Sequence, residues 1–146
     1  MKVTICGSCA FIDEMQQVAE QLKSLGHEVK IPPVFEVTKD GRSLHTRDYY
    51  ALKKTVPSDP EFWEKHTGRI SAHFNKVAWA DAILVTNYDK NNIAGYIGPN
   101  TLMEMGLAFY LGKKIFLLQP VPELAWKEEL LGLRPVVVNS QLSLIV

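Results

Sequence analysis

Short apolar runs alternate along this chain with stretches in which apolar residues recur at helical spacing. Residues 2–6 form one such run and predict a strand, and the apolar positions between residues 11 and 25 predict a helix. Gly26 ends that helix, and residues 27–31 predict a second strand that Pro32 terminates. This order is the strand, helix, strand unit of a parallel sheet.

The second half of the chain repeats the alternation. Its predicted elements are strands at residues 82–86, 114–118 and 135–138 and helices at residues 99–111 and 124–131. The run at 82–86 is apolar at nearly every position, which is typical of a central strand covered on both faces. About five strands alternating with helices predict a single α/β domain over residues 1–146, with a doubly wound, Rossmann-like parallel sheet.

A segment without clear periodicity separates these halves. Residues 34–59 exceed the roughly 12–15 residues typical of a structureless loop, so we interpret them as a lid or a partly helical substrate loop. Asp59 as N-cap and Pro60 at the first helical position then begin a helix that runs toward Trp79. Gly68 is expected to divide this helix into two pieces.

Charge and composition narrow the function. Sixteen basic and sixteen acidic residues give a formal net charge of zero, which argues against a nucleic acid polymer or a membrane surface as partner. The first apolar run is too short for a secretory signal or a membrane span, so we expect a cytoplasmic protein.

Ligands of open parallel sheets bind beyond the carboxyl ends of the strands, and this rule selects three loops here. They are residues 7–11, residues 87–101 and the insert at 34–59. Asp81 begins its strand, and at about 3.3 Å per residue it lies roughly 20 Å from that edge, so it is interpreted as structural.

The strongest chemical signal is Glu104. A glycine-rich turn with Gly98 precedes a helix that begins near Asn100 and Thr101, and the free N–H groups of such a helix start bind anions or sugar hydroxyls. Glu104 lies about one turn into this helix between apolar residues, so we expect it to be partly buried. The alternative is that Glu104 only caps its own helix together with Thr101.

A catalytic interpretation needs a second group. Asn87 and Asp89 follow the central strand, and His73 lies on the helix before it, so all three are candidates. A histidine on an amphipathic helix is also often a packed residue. Four residues of the insert either bind a base or phosphate or anchor the loop: His45, Arg47, Tyr49 and Tyr50.

The only two cysteines, Cys6 and Cys9, have the spacing of a redox pair or of half a metal site. Two thiolates alone do not complete a zinc site. Core packing of Cys6 and a close approach of the backbone at Cys9 explain both without redox chemistry.

Four motifs resemble the nucleoside 2-deoxyribosyltransferase family, including the related 2-deoxynucleoside 5-phosphate N-hydrolases. They are Gly7-Ser8 after the first strand, residues 79–85 (WADAILV), residues 98–108 (GPNTLMEMGLA) and residues 112–115 (GKKI). The resemblance spans most of the chain except the insert, and the helix motif is its most specific part. It implies a flavodoxin-like fold.

The resemblance also implies roles for single residues. Glu104 would attack the anomeric carbon of the sugar, and the glycosyl ester would pass to water or to another base. The family uses an aspartate to help protonate the departing base, and His73 occupies that position here. A histidine either replaces this acid or marks a protein that binds nucleotides without cleaving them.

By the same resemblance, Gly7, Ser8, Asn100 and Thr101 contact sugar or phosphate. Subunits pair, so a homo-oligomer with a dimer as its minimum unit is expected.

Three hypotheses result. The leading one is N-glycosidic cleavage or deoxyribosyl transfer on a small nucleoside or nucleotide, without cofactor or metal. Glu104 is its nucleophile, His73 or Asp89 assists the base, and the loops at 7–9 and 98–101 bind the ligand. The second is a non-catalytic nucleotide sensor. The third is thiol-disulfide chemistry at Cys6 and Cys9, which requires an exposed thiol of lowered pKa.

Overall fold

Alternating strands and helices make up most of the chain in the computed structural model, which describes residues 1–52 and 58–146. In chain order the elements are β1 (Lys2–Cys6), α1 (Ile12–Ser24), β2 (Glu28–Lys30), β3 (Phe35–Val37), β4 (Ser43–His45), α2 (Thr46–Leu52), α3 (Pro60–Trp79), β5 (Ala82–Val85), α4 (Pro99–Tyr110), β6 (Lys114–Leu117), α5 (Lys127–Gly132) and β7 (Val136–Val137). Short 3₁₀ turns at Cys9–Phe11 and Leu142–Leu144 complete them.

Five strands form one parallel sheet in the order β2-β1-β5-β6-β7. Numbered within the sheet, this order is 2-1-3-4-5, the doubly wound arrangement of flavodoxin-like folds. The predicted fold class is therefore confirmed. The order reverses between β1 and β5, and ligands of such sheets bind at this switch point.

Helices cover both faces of the sheet because its central strands are apolar on both sides. Along β1, Val3 and Ile5 face the cluster that includes α1, and Cys6 faces the opposite cluster with Val77 of α3. All four residues of β5 are buried. Thr4 Oγ1 donates a 2.7 Å hydrogen bond to the backbone carbonyl of Lys76. This hydrogen bond joins α3 to the sheet.

Helix α3 begins as the sequence predicts. The Asp59 carboxylate accepts a hydrogen bond from the N–H of Glu61, and Pro60 occupies the first turn. The expected break at Gly68 is wrong, since α3 is continuous to Trp79. Gly68 is solvent-exposed, and one exposed glycine costs a helix only about 1 kcal/mol, which the packing of the remaining turns offsets.

The insert at 34–59 has regular structure of its own. Strands β3 and β4 pair in antiparallel register, Glu36 opposite Leu44, and α2 follows directly. Residues 53–57 of the predicted insert lie outside the described residues. The described part packs against the 3₁₀ turn after β1 and so extends over the carboxyl edge of the sheet.

Asp81 lies at the other edge, where its carboxylate accepts a 2.7 Å hydrogen bond from the N–H of Lys2. This contact joins the starts of two neighbouring strands and agrees with a structural role. Among the helices in the described ranges, none is long and apolar enough to cross a membrane.

Candidate active site

A cavity of about 720 Å³ opens at the carboxyl end of β1, where the strand order reverses. The loop after β1, the insert, one face of α3 and the first turns of α4 form its walls. Its lining includes Gly7, Ser8, Cys9, Glu36, Arg47, Tyr50, Arg69, His73, Lys76, Lys90, Tyr96, Gly98, Asn100, Thr101, Met103 and Glu104. The volume is within the range of small-molecule sites.

Glu104 lines this cavity as the sixth residue of α4. Its side chain is only 14% exposed. Burial raises the pKa of Glu104 to about 7, and a hydrogen bond with Cys6 opposes that rise. Among the described residues, Oε2 of Glu104 has no hydrogen-bond partner. A poorly solvated carboxylate without a full set of partners is a reactive one.

Glu104 does not cap its own helix. The N-cap of α4 is Gly98, which has no side chain to accept from the helix N–H groups, and Thr101 lies within the first turn. The carboxylate lies instead near His73 of α3, with His73 Nε2 3.7 Å from Glu104 Oε1. The capping alternative is therefore not what the structure shows.

His73 links Glu104 to Cys6. Its Nε2 atom is 3.6 Å from Cys6 Sγ at the end of β1. Burial, and then the positive charge of Lys76, lower the pKa of His73 to about 4. His73 is therefore neutral at pH 7, and its contact with Glu104 is not an ion pair there.

The loop after β1 approaches the strand ends closely. A Cβ atom on Gly7 would lie 2.6 Å from Oγ1 of Thr86, and φ of Gly7 is +154°, so no larger residue fits. Ser8 Oγ accepts a 2.8 Å hydrogen bond from Lys90 Nζ at the cavity wall. A hydroxyl and an ammonium group thus lie in the same cavity as the first turn of α4.

Of the predicted site residues, eight line the cavity: Gly7, Ser8, Cys9, His73, Gly98, Asn100, Thr101 and Glu104. Asn87 and Asp89 are not among the described lining residues. Asn87 is buried, and its side-chain amide bonds the backbone of residues 95, 119 and 120. Asp89 accepts from the N–H of Gly95. Both side chains position the loop that leads to α4.

A charged pair that the sequence did not predict joins the insert to α3. Glu36 of β3 accepts a 3.1 Å hydrogen bond from Arg69 Nε of α3, and the two side chains are 11% and 19% exposed. Arg69 also donates to the Tyr49 hydroxyl. The sequence does contain a signal for Arg69. Polar residues recur every three or four positions along α3 and form one stripe, which consists of His66, Arg69, His73 and Lys76.

The predicted insert residues divide between two roles. Tyr50 and Arg47 line the cavity. Arg47 also binds Asp13 and Glu14 of α1, and His45 lies 2.8 Å from Asp13, so both anchor the insert onto α1. Burial raises the pKa of Tyr50 to about 12, which keeps it a neutral hydrogen-bonding group.

The cysteines do not meet the requirement of thiol-disulfide chemistry. Burial raises the pKa of the Cys6 thiol, and burial with the nearby Glu104 carboxylate raises the pKa of Cys9 to about 11. A redox-active thiol needs the opposite shift. Both cysteines are free thiols.

Comparisons with known proteins agree with the fold. No protein-family model and no curated protein matches the sequence. A CMP N-glycosidase, BcmB, from Clostridium botulinum has a similar structure, with a TM-score of 0.51 and 14% identity over 99% of this chain and 98% of that one. A 2-deoxyribosyltransferase from Bacillus psychrosaccharolyticus gives a TM-score of 0.46 and 19% identity over 80% of this chain and 71% of that one. At 14% identity the likeness to the CMP N-glycosidase shows a shared fold.

Proposed function

We propose that this protein cleaves the N-glycosidic bond of a nucleoside or nucleotide, with Glu104 as the nucleophile. The observation that carries the proposal is the Glu104 carboxylate, buried in the wall of a 720 Å³ cavity at the switch point of the sheet. The motif around Glu104 resembles the nucleoside 2-deoxyribosyltransferases. The fold shared with the CMP N-glycosidase supports the same class of reaction.

The first step forms an ester. A Glu104 oxygen attacks the anomeric carbon, the carbon–nitrogen bond breaks, and its electron pair leaves on the base nitrogen, which takes up a proton from solvent water. In the second step water, or the nitrogen of another base, attacks the same carbon and releases Glu104. The pKa of about 7 leaves a large fraction of Glu104 ionised at neutral pH, as the attack requires.

We assign His73 to the second step. A neutral imidazole 3.7 Å from Glu104 can accept the proton of the attacking water. Its lowered pKa makes His73 a poor donor to the leaving base. Asp89 is engaged with the N–H of Gly95, so its predicted help to the base has no support in the geometry.

We propose that the substrate carries a phosphate. Lys90 and Ser8 form a hydrogen-bonded pair in the cavity wall, and the first turn of α4 offers free N–H groups near Asn100 and Thr101. Cations and helix starts are the groups that bind phosphate oxygens. A nucleoside 5-monophosphate is thus the preferred substrate, with a free nucleoside as the weaker one.

We further propose that the active unit is a pair of chains. Met103 and Tyr110 lie seven positions apart on one side of α4 and are 45% and 84% exposed. Met103 also lines the cavity, so a second chain on this side of α4 would border the site.

The zero net charge and the free thiols support a cytoplasmic protein that does not bind nucleic acid.

The test is chromatographic detection of free base from a panel of nucleosides and 5-monophosphates, in buffer with a metal chelator. Wild type should release base, and Glu104→Gln should release it about 10³-fold more slowly or not at all. Glu128→Gln, an exposed carboxylate on α5, is the matched control and should retain activity. Equal rates for wild type and Glu104→Gln would overturn the proposal.

A second candidate is a nucleotide sensor without turnover. The observation that favours it is the low pKa of His73, which leaves the family's acid position without a ready proton donor. Calorimetric binding of a 5-monophosphate without any base release would support the sensor. Base release that is lost in Glu104→Gln would exclude it.

A further inference from the structure

Three potential metal ligands from three separate elements converge beside the cavity, and two of them, His73 and Glu104, line it. Cys6 ends β1, His73 lies on α3 and Glu104 lies on α4. One ligand atom of each lies within 4.8 Å of the other two. Cys6 and His73 are buried, and Glu104 is nearly so.

Two of the three distances within this group are close to those of a tetrahedral zinc site. With Zn–S of about 2.3 Å and Zn–N or Zn–O of about 2.0 Å, tetrahedral angles separate sulfur from nitrogen by about 3.6 Å and nitrogen from oxygen by about 3.3 Å. The structure has Cys6 Sγ 3.6 Å from His73 Nε2, and that atom 3.7 Å from Glu104 Oε1. The third separation, between Cys6 Sγ and the Glu104 carboxylate, is within 4.8 Å, against about 3.5 Å in a tetrahedral site. A side-chain movement of up to about 1.3 Å would therefore complete three bonds to one ion.

The chemical type of the three ligand atoms determines which metal ion they favour. One sulfur, one imidazole nitrogen and one carboxylate oxygen suit Zn²⁺ and disfavour Mg²⁺ and Ca²⁺, which prefer oxygen ligands. A neutral imidazole is the form of histidine that binds metal. We propose that Cys6, His73 and Glu104 bind one Zn²⁺ ion, with its fourth coordination position facing the cavity.

The sequence predicts no metal site, because the spacing of its cysteines pairs Cys6 only with Cys9. Cys9 is not part of this group. The ligands are 67 and 31 residues apart in sequence, so their convergence is visible only in the fold.

Zinc binding has a consequence that rests on the proposed function. A Glu104 oxygen bound to the ion cannot attack an anomeric carbon, so zinc and glycosyl transfer compete for the same carboxylate. Zinc should inhibit base release, and a chelator should restore it.

The direct test uses the protein without substrate. Chelator-treated wild type is titrated with Zn²⁺ by calorimetry and with Co²⁺ by absorption spectroscopy. We expect one ion per chain, and for Co²⁺ a thiolate charge-transfer band with the intense visible bands of a tetrahedral site. One-to-one binding without the thiolate band, or no binding, would overturn the proposal.

Variants assign the ligands. Cys6→Ser should remove the thiolate band, and Cys6→Ser or His73→Gln should weaken Zn²⁺ binding by more than about tenfold. Cys9→Ser is the matched control, a cavity thiol outside the group, and should bind Zn²⁺ like wild type. Loss of the band in Cys9→Ser but not in Cys6→Ser would contradict the assignment. Should Cys6→Ser not fold, the wild-type spectrum and His73→Gln still decide.

The two proposals fail separately. Ion binding is measured without substrate, and base release is measured with chelator. A protein that binds zinc but releases no base contradicts only the proposed function, and one that releases base but binds no zinc contradicts only the metal site.

Discussion

At the scale of single residues, burial sets the chemistry of the site. It raises the pKa of Glu104 to about 7 and lowers that of His73 to about 4, because a poorly solvated group favours its neutral form. In the free protein near pH 7, His73 is thus neutral, and Glu104 is divided between its neutral and ionised forms. A substrate that becomes cationic at its anomeric carbon would then stabilise the ionised form of Glu104.

Burial also affects the reactivity of the Cys9 thiol toward alkylating agents. Burial raises the pKa of this thiol above the ordinary range to about 11, so the thiolate is scarce at pH 8 and increases about tenfold per pH unit up to about pH 11. Alkylation of Cys9 by iodoacetamide should therefore be slower than that of free cysteine at pH 8 and accelerate through pH 10. Peptide mass spectrometry after timed quenching measures this rate. A rate already constant by pH 8 would contradict the buried environment.

At the scale of elements, the insert and α3 form the part of the wall opposite the sheet. The ion pair of Glu36 and Arg69 joins them, and Tyr49 adds a hydrogen bond to Arg69. Buried ion pairs contribute little net stability but are costly to leave half broken. This pair therefore fixes where the insert lies rather than adding much stability.

Removing one residue of the ion pair between Glu36 and Arg69 should show the free-energy cost of leaving the other charge buried and unpaired. Arg69→Met leaves Glu36 without its cation, so we expect a loss of about 2 kcal/mol in the free energy of unfolding, measured by urea denaturation. Glu36→Gln in the Arg69→Met background should recover part of it. Arg42→Met, which breaks the exposed pair with Asp40, is the matched control and should cost under about 0.5 kcal/mol. Strictly additive effects of Glu36→Gln and Arg69→Met would contradict the coupling.

Sequence patterns predicted the elements in which buried apolar residues lie close together along the chain. The runs of β1 and β5 and the helix α4 were evident because their apolar residues are local in sequence. Strands β3 and β4 were not, since each has only three residues, and in β3 the apolar Phe35 and Val37 are exposed while Glu36 is buried. Their pairing depends on contacts with α2 and the turn after β1, which no local pattern reveals.

The residues of the site also divide into those that a local sequence pattern predicts and those that only the fold brings together. Glu104 was predicted from its own helix motif, and His73 from the matching position on α3. The partnership of Glu36 and Arg69 joins positions 33 residues apart, and the group of Cys6, His73 and Glu104 joins three elements. Asn87 and Asp89 were placed at the correct sheet edge, but their side chains point to backbone groups of neighbouring loops.

At the scale of the whole molecule, the exposed apolar face of α4 lies beside the mouth of the cavity. Tyr110→Glu places a charge in the proposed contact between two chains without touching the core, since Tyr110 is 84% exposed. Light scattering after size exclusion should give wild type twice the chain mass of 16.5 kDa and the variant a single chain mass. We also expect a higher KM in the variant, because Met103 borders the site. A monomeric wild type with full activity would contradict the pairing.

The central claim is that Glu104 attacks the anomeric carbon of the sugar. The most direct test is the configuration of the fresh sugar product, measured by proton NMR before it equilibrates, with methanol added so that a stable methyl glycoside also forms. Two displacements at one carbon predict that the product retains the configuration of the substrate. An inverted product would show that water attacks directly and that Glu104 is not the nucleophile.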